Sequence, residues 1–298
     1  MVAMPLVHIS WAIADNEVRK ACDAFFIDVF GAETAYEVLV SAETEAMGLD
    51  REERLMLVGD TMLIPIAPAG RGASAESPIG EMLRRNSAPG RWLGIALKTA
   101  DLSAADAWMR SRGFKLHYDP GMEKHYFLIS RGQAVGVRIE VMVRLPRDPR
   151  LDPNWSPVRW RNSHPLGIEG LQSIGVSVPS LAEARELLAA KLDWPEIGTR
   201  TVPGDAADCI AFAMGGTVIE AMQPREPNSP LAHHVRHIKG IYCLTFKVRS
   251  ARAAADYLRG KGLELVGDVA DRFAIRPEQA FDRLIYFTEK DVAGYHAS

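Results

Sequence analysis

The stretch Val7-His8-Ile9-Ser10-Trp11-Ala12-Ile13, followed by Asp15, decides the fold. Ile9, Trp11 and Ile13 are bulky, while His8, Ser10 and Ala12 are small or polar, which is the two-residue period of a strand with two unlike faces. Asp15 then offers a side-chain oxygen to an orphan helical N–H. Beyond it Val18, Ala21, Cys22, Phe25 and Val29 form one helical stripe that Gly31 can close.

Three further segments repeat this pattern. They are Leu93-Gly94-Ile95-Ala96-Leu97-Lys98-Thr99 before Asp101, Gln172-Ser173-Ile174-Gly175-Val176-Ser177-Val178 before Ser180, and Tyr242-Cys243-Leu244-Thr245-Phe246-Lys247-Val248 before Ser250. Each leads into an apolar helical stripe and then into short strand-like segments, the last of them at 61–66, 137–142, 217–222 and 283–288. The unit is strand–helix–strand–strand–strand, and it predicts an α+β fold of four βαβββ modules. The first domain spans 1–146, with modules at about 5–69 and 90–146. A proline-rich linker occupies 147–168, and the second domain spans 169–298, with modules at about 169–226 and 236–298. Exposed connections are expected at 70–89 and 223–230.

Composition narrows the class. The chain has 298 residues, 35 Lys+Arg against 38 Asp+Glu, and 47% hydrophobic residues. A chain of this length buries a full core without disulfides or structural metals. The near-neutral charge argues against nucleic acid as a partner. No apolar run reaches the roughly 18 residues of a membrane span, and the first residues lack the basic region of a signal peptide. Three sparse cysteines, Cys22, Cys209 and Cys243, fit a reduced, cytoplasmic setting.

The second face of each first strand locates a site. It carries His8, Ser10 and Ala12; Gly94, Ala96 and Lys98; Ser173, Gly175 and Ser177; Cys243, Thr245 and Lys247. Small, weakly polar residues suit concave sheets around a cavity. Glu140 and Glu220 each lie inside an otherwise apolar last strand. A buried carboxylate there needs a partner, a metal or a solvated face.

The fourfold layout resembles the vicinal oxygen chelate superfamily of glyoxalases, bleomycin-resistance proteins, methylmalonyl-CoA epimerase and extradiol dioxygenases. The phrases His8-Ile-Ser-Trp-Ala-Ile13, His164-Pro-Leu-Gly-Ile-Glu-Gly170 and Pro277-Glu278-Gln279-Ala280 add to the likeness. The resemblance implies two glyoxalase-like domains with concave mixed sheets, each a pair of modules cupped around a divalent metal. Carried onto this chain, the metal-ligand positions fall on His8, Gly94, Ser173 and Cys243 in the first strands. In the last strands they fall on Ile64, Glu140, Glu220 and Tyr286.

That set departs from the family's two histidines and one carboxylate. A divalent metal (Fe, Mn or Zn) on His8, Glu140 and Glu220 and no cofactor at all therefore stand as equal expectations. His8, Glu140 and Tyr286 are the catalytic candidates. Ser10, Gly94, Arg138, Ser173 and Cys243 are the pocket candidates. Whether module one pairs with two or with four stays open.

The expected function is a small-molecule enzyme acting on a carbonyl-bearing or aromatic metabolite, by a lyase, isomerase, hydration or dioxygenase-like step. The alternative is a non-catalytic sequestration protein resembling the bleomycin-resistance proteins. A small molecule is the expected partner, with a homodimer allowed. His233 and His237 have the spacing of ligands on a helix but lack the metalloprotease Glu, so they read as a solvated connector or dimer contact. Arg51-Glu52-Glu53-Arg54 reads as solvated surface.

Overall fold

The computed structural model describes residues 4–39, 51–68, 82–83, 85–86, 91–119, 121–144, 148–156, 158 and 162–294. The connection expected at 70–89 lies largely outside them.

All four capping residues start helices. Asp15 caps α1 (Asn16–Phe30), Asp101 caps α2 (Leu102–Ser111), Ser180 caps α3 (Leu181–Arg185), and Ser250 caps α5 (Ala251–Gly260). In each, the side-chain oxygen accepts backbone N–H groups of the first turn. Gly31 closes α1 in the left-handed region, at φ 67°. A further helix, α4 (Pro230–His237), crosses between modules three and four.

The strands form two eight-stranded sheets. Sheet A is built from β1 (Leu6–Ala12), β2 (Glu33–Val38), β3 (Arg51–Val58), β4 (Thr61–Pro68), β5 (Gly94–Lys98), β6 (Leu116–His117), β7 (Tyr126–Ile129) and β8 (Arg138–Met142). Its order is β2-β3-β4-β1-β5-β8-β7-β6. Sheet B is built from β9 (Ile168–Ser177), β10 (Glu196–Val202), β11 (Ala207–Met214), β12 (Thr217–Pro224), β13 (Gly240–Val248), β14 (Leu265–Asp268), β15 (Arg272–Ile275) and β16 (Leu284–Thr288). It repeats the order of sheet A as β10-β11-β12-β9-β13-β16-β15-β14. Module one thus pairs with two, and three with four. The two first strands meet antiparallel at the middle of each sheet.

The bulky faces of both sheets enter one continuous core. Ile9, Trp11, Ile95, Leu97, Ile174, Val176, Leu244 and Phe246 all lie in it, together with the apolar stripes of the helices. Phe30 of α1 reaches across to Phe246 and Phe287 of sheet B, at ring-centroid distances of 6.4 and 5.8 Å. The buried Arg283 guanidinium faces both Trp11 and Trp92, at 5.9 and 5.5 Å.

Turns lock the two halves reciprocally. Asp60, in the β3–β4 turn, accepts the Leu171 N–H of β9 at 2.9 Å. The matching β11–β12 turn lies so close to the start of β1 that a Cβ on Gly215 would fall 2.8 Å from the Pro5 Cα. Arg91 and Arg131 donate to the carbonyls of His237, Ile238 and Lys239 at the end of α4. They satisfy groups that a helix C-terminus leaves open, and they place positive charge at the negative end of its dipole.

The reading of Arg51 to Arg54 as solvated surface is corrected. Arg54 pairs with Asp23 and Glu37, and Glu52 lies 3.7 Å from Arg19, a fully buried residue of α1 that also holds Asp23 at 2.6 Å. Arg51 and Glu53 pair with each other at 2.9 Å. No helix among the described residues is long and apolar enough to cross a membrane.

Gly94 marks where β8 approaches β5 most tightly. A Cβ there would fall 2.2 Å from the Arg138 carbonyl oxygen. In urea titrations Gly94→Ala is expected to lose about 1–3 kcal/mol of stability by overpacking. Gly132→Ala, whose Cβ would meet nothing within 4 Å, is expected to stay within about 0.5 kcal/mol.

Candidate functional site

Strand register gathers the candidate residues into two cups. In sheet A one row runs Leu57, Met62, His8, Ala96, Glu140, Leu128 across six strands. Cα partners in a sheet share a face, so His8 and Glu140 look into the same cup with only Ala96 between them. In sheet B the equivalent row runs Val218, Ser173, Thr245, Tyr286. Tyr286 thus occupies the Glu140 position of the second cup, and Ser173 occupies the His8 position. Ser10, Gly94 and Arg138 lie in sheet A, and Cys243 and Glu220 in sheet B. The candidates therefore divide: His8 and Glu140 are together, while Tyr286 and Glu220 belong to the other cup.

The N-terminal cup combines apolar and charged side chains. Leu55, Leu57, Met62, Ile64 and Ile66 line it, with Met82, Tyr126 and Trp155 packed against them. His8 is 7% exposed, and its Nδ1 has no hydrogen-bond partner among the described residues. Burial first, then the positive charges of Arg150 and Arg51, push its pKa down to about 3. The ring is neutral across the physiological range and keeps both a donor and an acceptor. Arg150 is fixed by Asp148 and by the carbonyls of Val7 and Asp60.

Glu140 is partly buried and, among the described residues, makes no hydrogen bond or ion pair. Burial raises its pKa to about 7, against the opposing pull of Arg138 and Arg51. Arg138 points to the same face two residues earlier, and its one side-chain hydrogen bond among the described residues is a weak one to Met82 Sδ at 3.9 Å. Tyr126 donates to Asp119 at 2.6 Å.

The C-terminal cup is closed by internal pairs. Glu220, 2% exposed, accepts from Ser173 Oγ at 2.8 Å through one oxygen. Its other oxygen accepts from Arg200 Nε and Nη2 at 2.7 and 2.6 Å. Tyr286 donates to Asp205 at 2.8 Å, and Arg272 also binds Asp205. Cys243 and Cys209 are buried thiols whose pKa values burial drives upward. Leu231 of α4 belongs to the same buried cluster.

Neither donor set fits a divalent metal. In the first cup Ile64 and Gly94 supply no donor beside His8 and Glu140, and cationic Arg51 and Arg150 face the imidazole. In the second, a guanidinium already neutralises Glu220 where a dication would sit. No group of three His, Cys, Asp or Glu among the described residues has ligand geometry. His233 and His237 lie exposed on α4 with their rings 4.5 Å apart. Between them His234 is buried, and its Nδ1 is 2.7 Å from Ser177 Oγ.

Comparison with known proteins supports the resemblance. Residues 172–286 match the profile of the Glyoxalase/Bleomycin resistance protein/Dioxygenase superfamily. A variant of 4-hydroxymandelate synthase from Streptomyces coelicolor superposes on 99% of this chain and 95% of its own, with a TM-score of 0.66 at 16% identity. Methylmalonyl-CoA epimerase from Mycobacterium tuberculosis matches 40% of this chain and 87% of its own, with a TM-score of 0.38 at 24% identity. No curated protein matches in sequence. The vicinal oxygen chelate likeness read from the repeat therefore holds: the C-terminal half carries the superfamily's sequence pattern, and the whole chain has its two-domain fold.

The two shifted groups of the first cup act oppositely on stability. Below pH 6.5 the unfolded chain protonates His8 while the fold refuses the proton, so stability falls as pH drops from 6.5 toward 3. Glu140 holds a proton in the fold that the unfolded chain releases near 4.5, so its contribution falls as pH rises from 4.5 to 7. Denaturation at stepped pH should show a shallower acid loss for His8→Asn than for the wild type. Glu140→Gln should instead raise stability near pH 7 relative to pH 4.5, by about 1–3 kcal/mol.

Proposed function

We propose that this chain is a small-molecule enzyme of vicinal oxygen chelate type, whose N-terminal cup carries out proton transfer on a carbonyl-bearing metabolite without a metal. The observation that carries this reading is the unpaired Glu140 carboxyl in one register row with a neutral His8. A carboxyl that titrates near 7 exchanges protons at physiological pH in both directions. Glu140 takes the proton adjacent to the carbonyl and returns it to the neighbouring carbon or to a leaving oxygen. The negative charge that develops on the carbonyl oxygen falls within the field of Arg138 and Arg51. His8 donates to or accepts from the same substrate without changing charge, and the apolar wall from Leu55 to Ile66 holds the rest of the molecule. Isomerase, lyase and hydration steps all use this one transfer.

Sequestration without turnover, as resembles the bleomycin-resistance proteins, is the second reading. It is favoured by the missing ligand positions Ile64 and Gly94. Turnover separates the two. Screening carbonyl metabolites by solvent deuterium exchange should find one whose exchange Glu140→Gln slows by about 10²–10⁴-fold. Its kcat/KM should rise with pH and level above about 7, since the base form is required. Chelators should leave the rate unchanged. Tight binding with no exchange in the wild type would favour sequestration.

A further inference from the structure

A cavity of about 110 Å³ opens beside the first strand of the N-terminal domain. Its wall includes Val7, Lys98, Arg144, Asp148 and Arg150. The proton-transfer reading uses none of these side chains. Val7 directly precedes His8 on β1, and the charge of Arg150 acts on the His8 ring.

Register fixes the distance from this cavity to the His8 and Glu140 row. Lys98 pairs with Met142 as Ala96 pairs with Glu140. Residues two apart on a strand share a face and lie about 7 Å from one another. The Lys98 and Met142 pair is therefore the next rung beyond that row, and Met142 belongs to the apolar cluster of the same cup. On β8 Arg138 lies two residues before Glu140 and Met142 two after it. Lys98 and Arg138 thus flank the carboxyl from opposite ends.

Charge and size narrow what the cavity takes. Both Asp148 oxygens already accept from Arg150, through Nε and Nη2. Arg150 also donates to the carbonyls of Asp60 and Val7, which pins this wall to sheet A. Lys98 and Arg144 are exposed, and among the described residues their side chains have no hydrogen bond, ion pair or ring contact. Two uncompensated cations therefore converge on one concavity whose carboxylate is already neutralised. A phosphate monoester carries close to two negative charges at neutral pH on three compact acceptor oxygens. Lysine meets it as a point charge and arginine as a planar fork. A singly charged carboxylate would leave one cation unanswered. The volume is well below the roughly 300–1,000 Å³ of pockets for whole ligands, so it suits one such group and not an entire metabolite.

We propose that this cavity binds a phosphate group of the substrate, with Lys98 and Arg144 as specificity-determining residues, so that the first cup acts on phosphorylated carbonyl compounds. The chemistry named here rests on the proton-transfer reading, whereas the anion site stands on its own residues. The carbonyl end lies toward Glu140 and Arg138, and the phosphate lies one rung away.

Inorganic phosphate is the probe. Calorimetric titration of the full chain at fixed ionic strength should show saturable binding with a Kd near or below about 1 mM. Sulfate, a dianion of the same shape, should compete, while acetate and chloride should bind at least about tenfold more weakly. Lys98→Gln and Arg144→Gln should each weaken phosphate about tenfold with an unchanged melting temperature. Lys191→Gln, which removes an exposed lysine of the second domain, should leave it unaltered. In the exchange screen, phosphorylated carbonyl compounds should react faster than their dephosphorylated counterparts. The two cation variants should raise their KM about tenfold with kcat little changed. No saturation below about 10 mM, an equal response to chloride, or indifference to both cation variants would overturn the site. Glu140-dependent exchange that is equal with and without the phosphate would overturn the substrate assignment. Phosphate binding that the cation variants lose, with no Glu140-dependent exchange of any compound, would sink the proton-transfer reading and leave the anion site standing.

Discussion

Burial of the bulky strand faces in one core shared by both sheets is the constraint on which the rest of the structure depends. Ile9 and Trp11, Ile95 and Leu97, Ile174 and Val176, and Leu244 and Phe246 all point the same way, toward capped helices. At about 25 cal/mol per Å² of apolar surface removed from water, such faces outweigh any local preference of the strands. Once they are committed inward, the two-residue period turns the alternate residues toward the opposite face. The cups are the consequence: their lining is whatever the core did not claim. The pseudo-repeat then gives the two cups equivalent positions, His8 matching Ser173 and Glu140 matching Tyr286.

The two cups solve the problem of buried polarity differently. In the second, Arg200 and Ser173 close on Glu220, and Arg272 and Tyr286 close on Asp205. Removing the guanidinium from such a pair leaves an uncompensated buried carboxylate, which typically costs about 3–5 kcal/mol. The pairs therefore fix the arms of sheet B relative to its centre. Their contribution to net stability is smaller than that figure suggests, because desolvation offsets much of the attraction. What they supply is geometry. The guanidinium of Arg200 sits on a carboxylate that the superfamily layout would give to a metal.

Much of this was legible in the sequence. The four caps at Asp15, Asp101, Ser180 and Ser250, the last strand of each module, and the split between bulky and small faces all follow from local rules of capping and period. The partners of the site residues did not. Arg200 lies on the edge strand β10, 20 residues from Glu220, and Arg272 on β15, 67 residues from Asp205, and it is the tertiary fold that brings each onto its carboxylate. The run from Arg51 to Arg54 misled because its charges suggest a solvated surface. Read with the period of the Leu55-Met56-Leu57-Val58 stretch that continues it, the run places Arg51 and Glu53 on one face and Glu52 and Arg54 on the other. The pairing of modules was open because it is decided by the contact of β1 with β5, which no local signal encodes.

Glu140 and Glu220 show why similar strands diverge in chemistry. Each is the third residue of its strand's closing apolar pattern, Arg138-Ile139-Glu140-Val141-Met142 and Val218-Ile219-Glu220-Ala221-Met222. Each lies on the concave face of its sheet. Glu220 has both oxygens engaged, one by a guanidinium fork and one by a hydroxyl, so its charged form is held in place. Among the described residues Glu140 has burial without any such partner, and Arg138 and Arg51 act on it only through space. Desolvation then dominates and brings its proton equilibrium to neutrality. A carboxyl fixed by partners serves architecture. One left unpaired in an apolar cup beside a neutral imidazole is free to exchange its proton with whatever the cup admits, and for that reason the chemistry is assigned to the first cup.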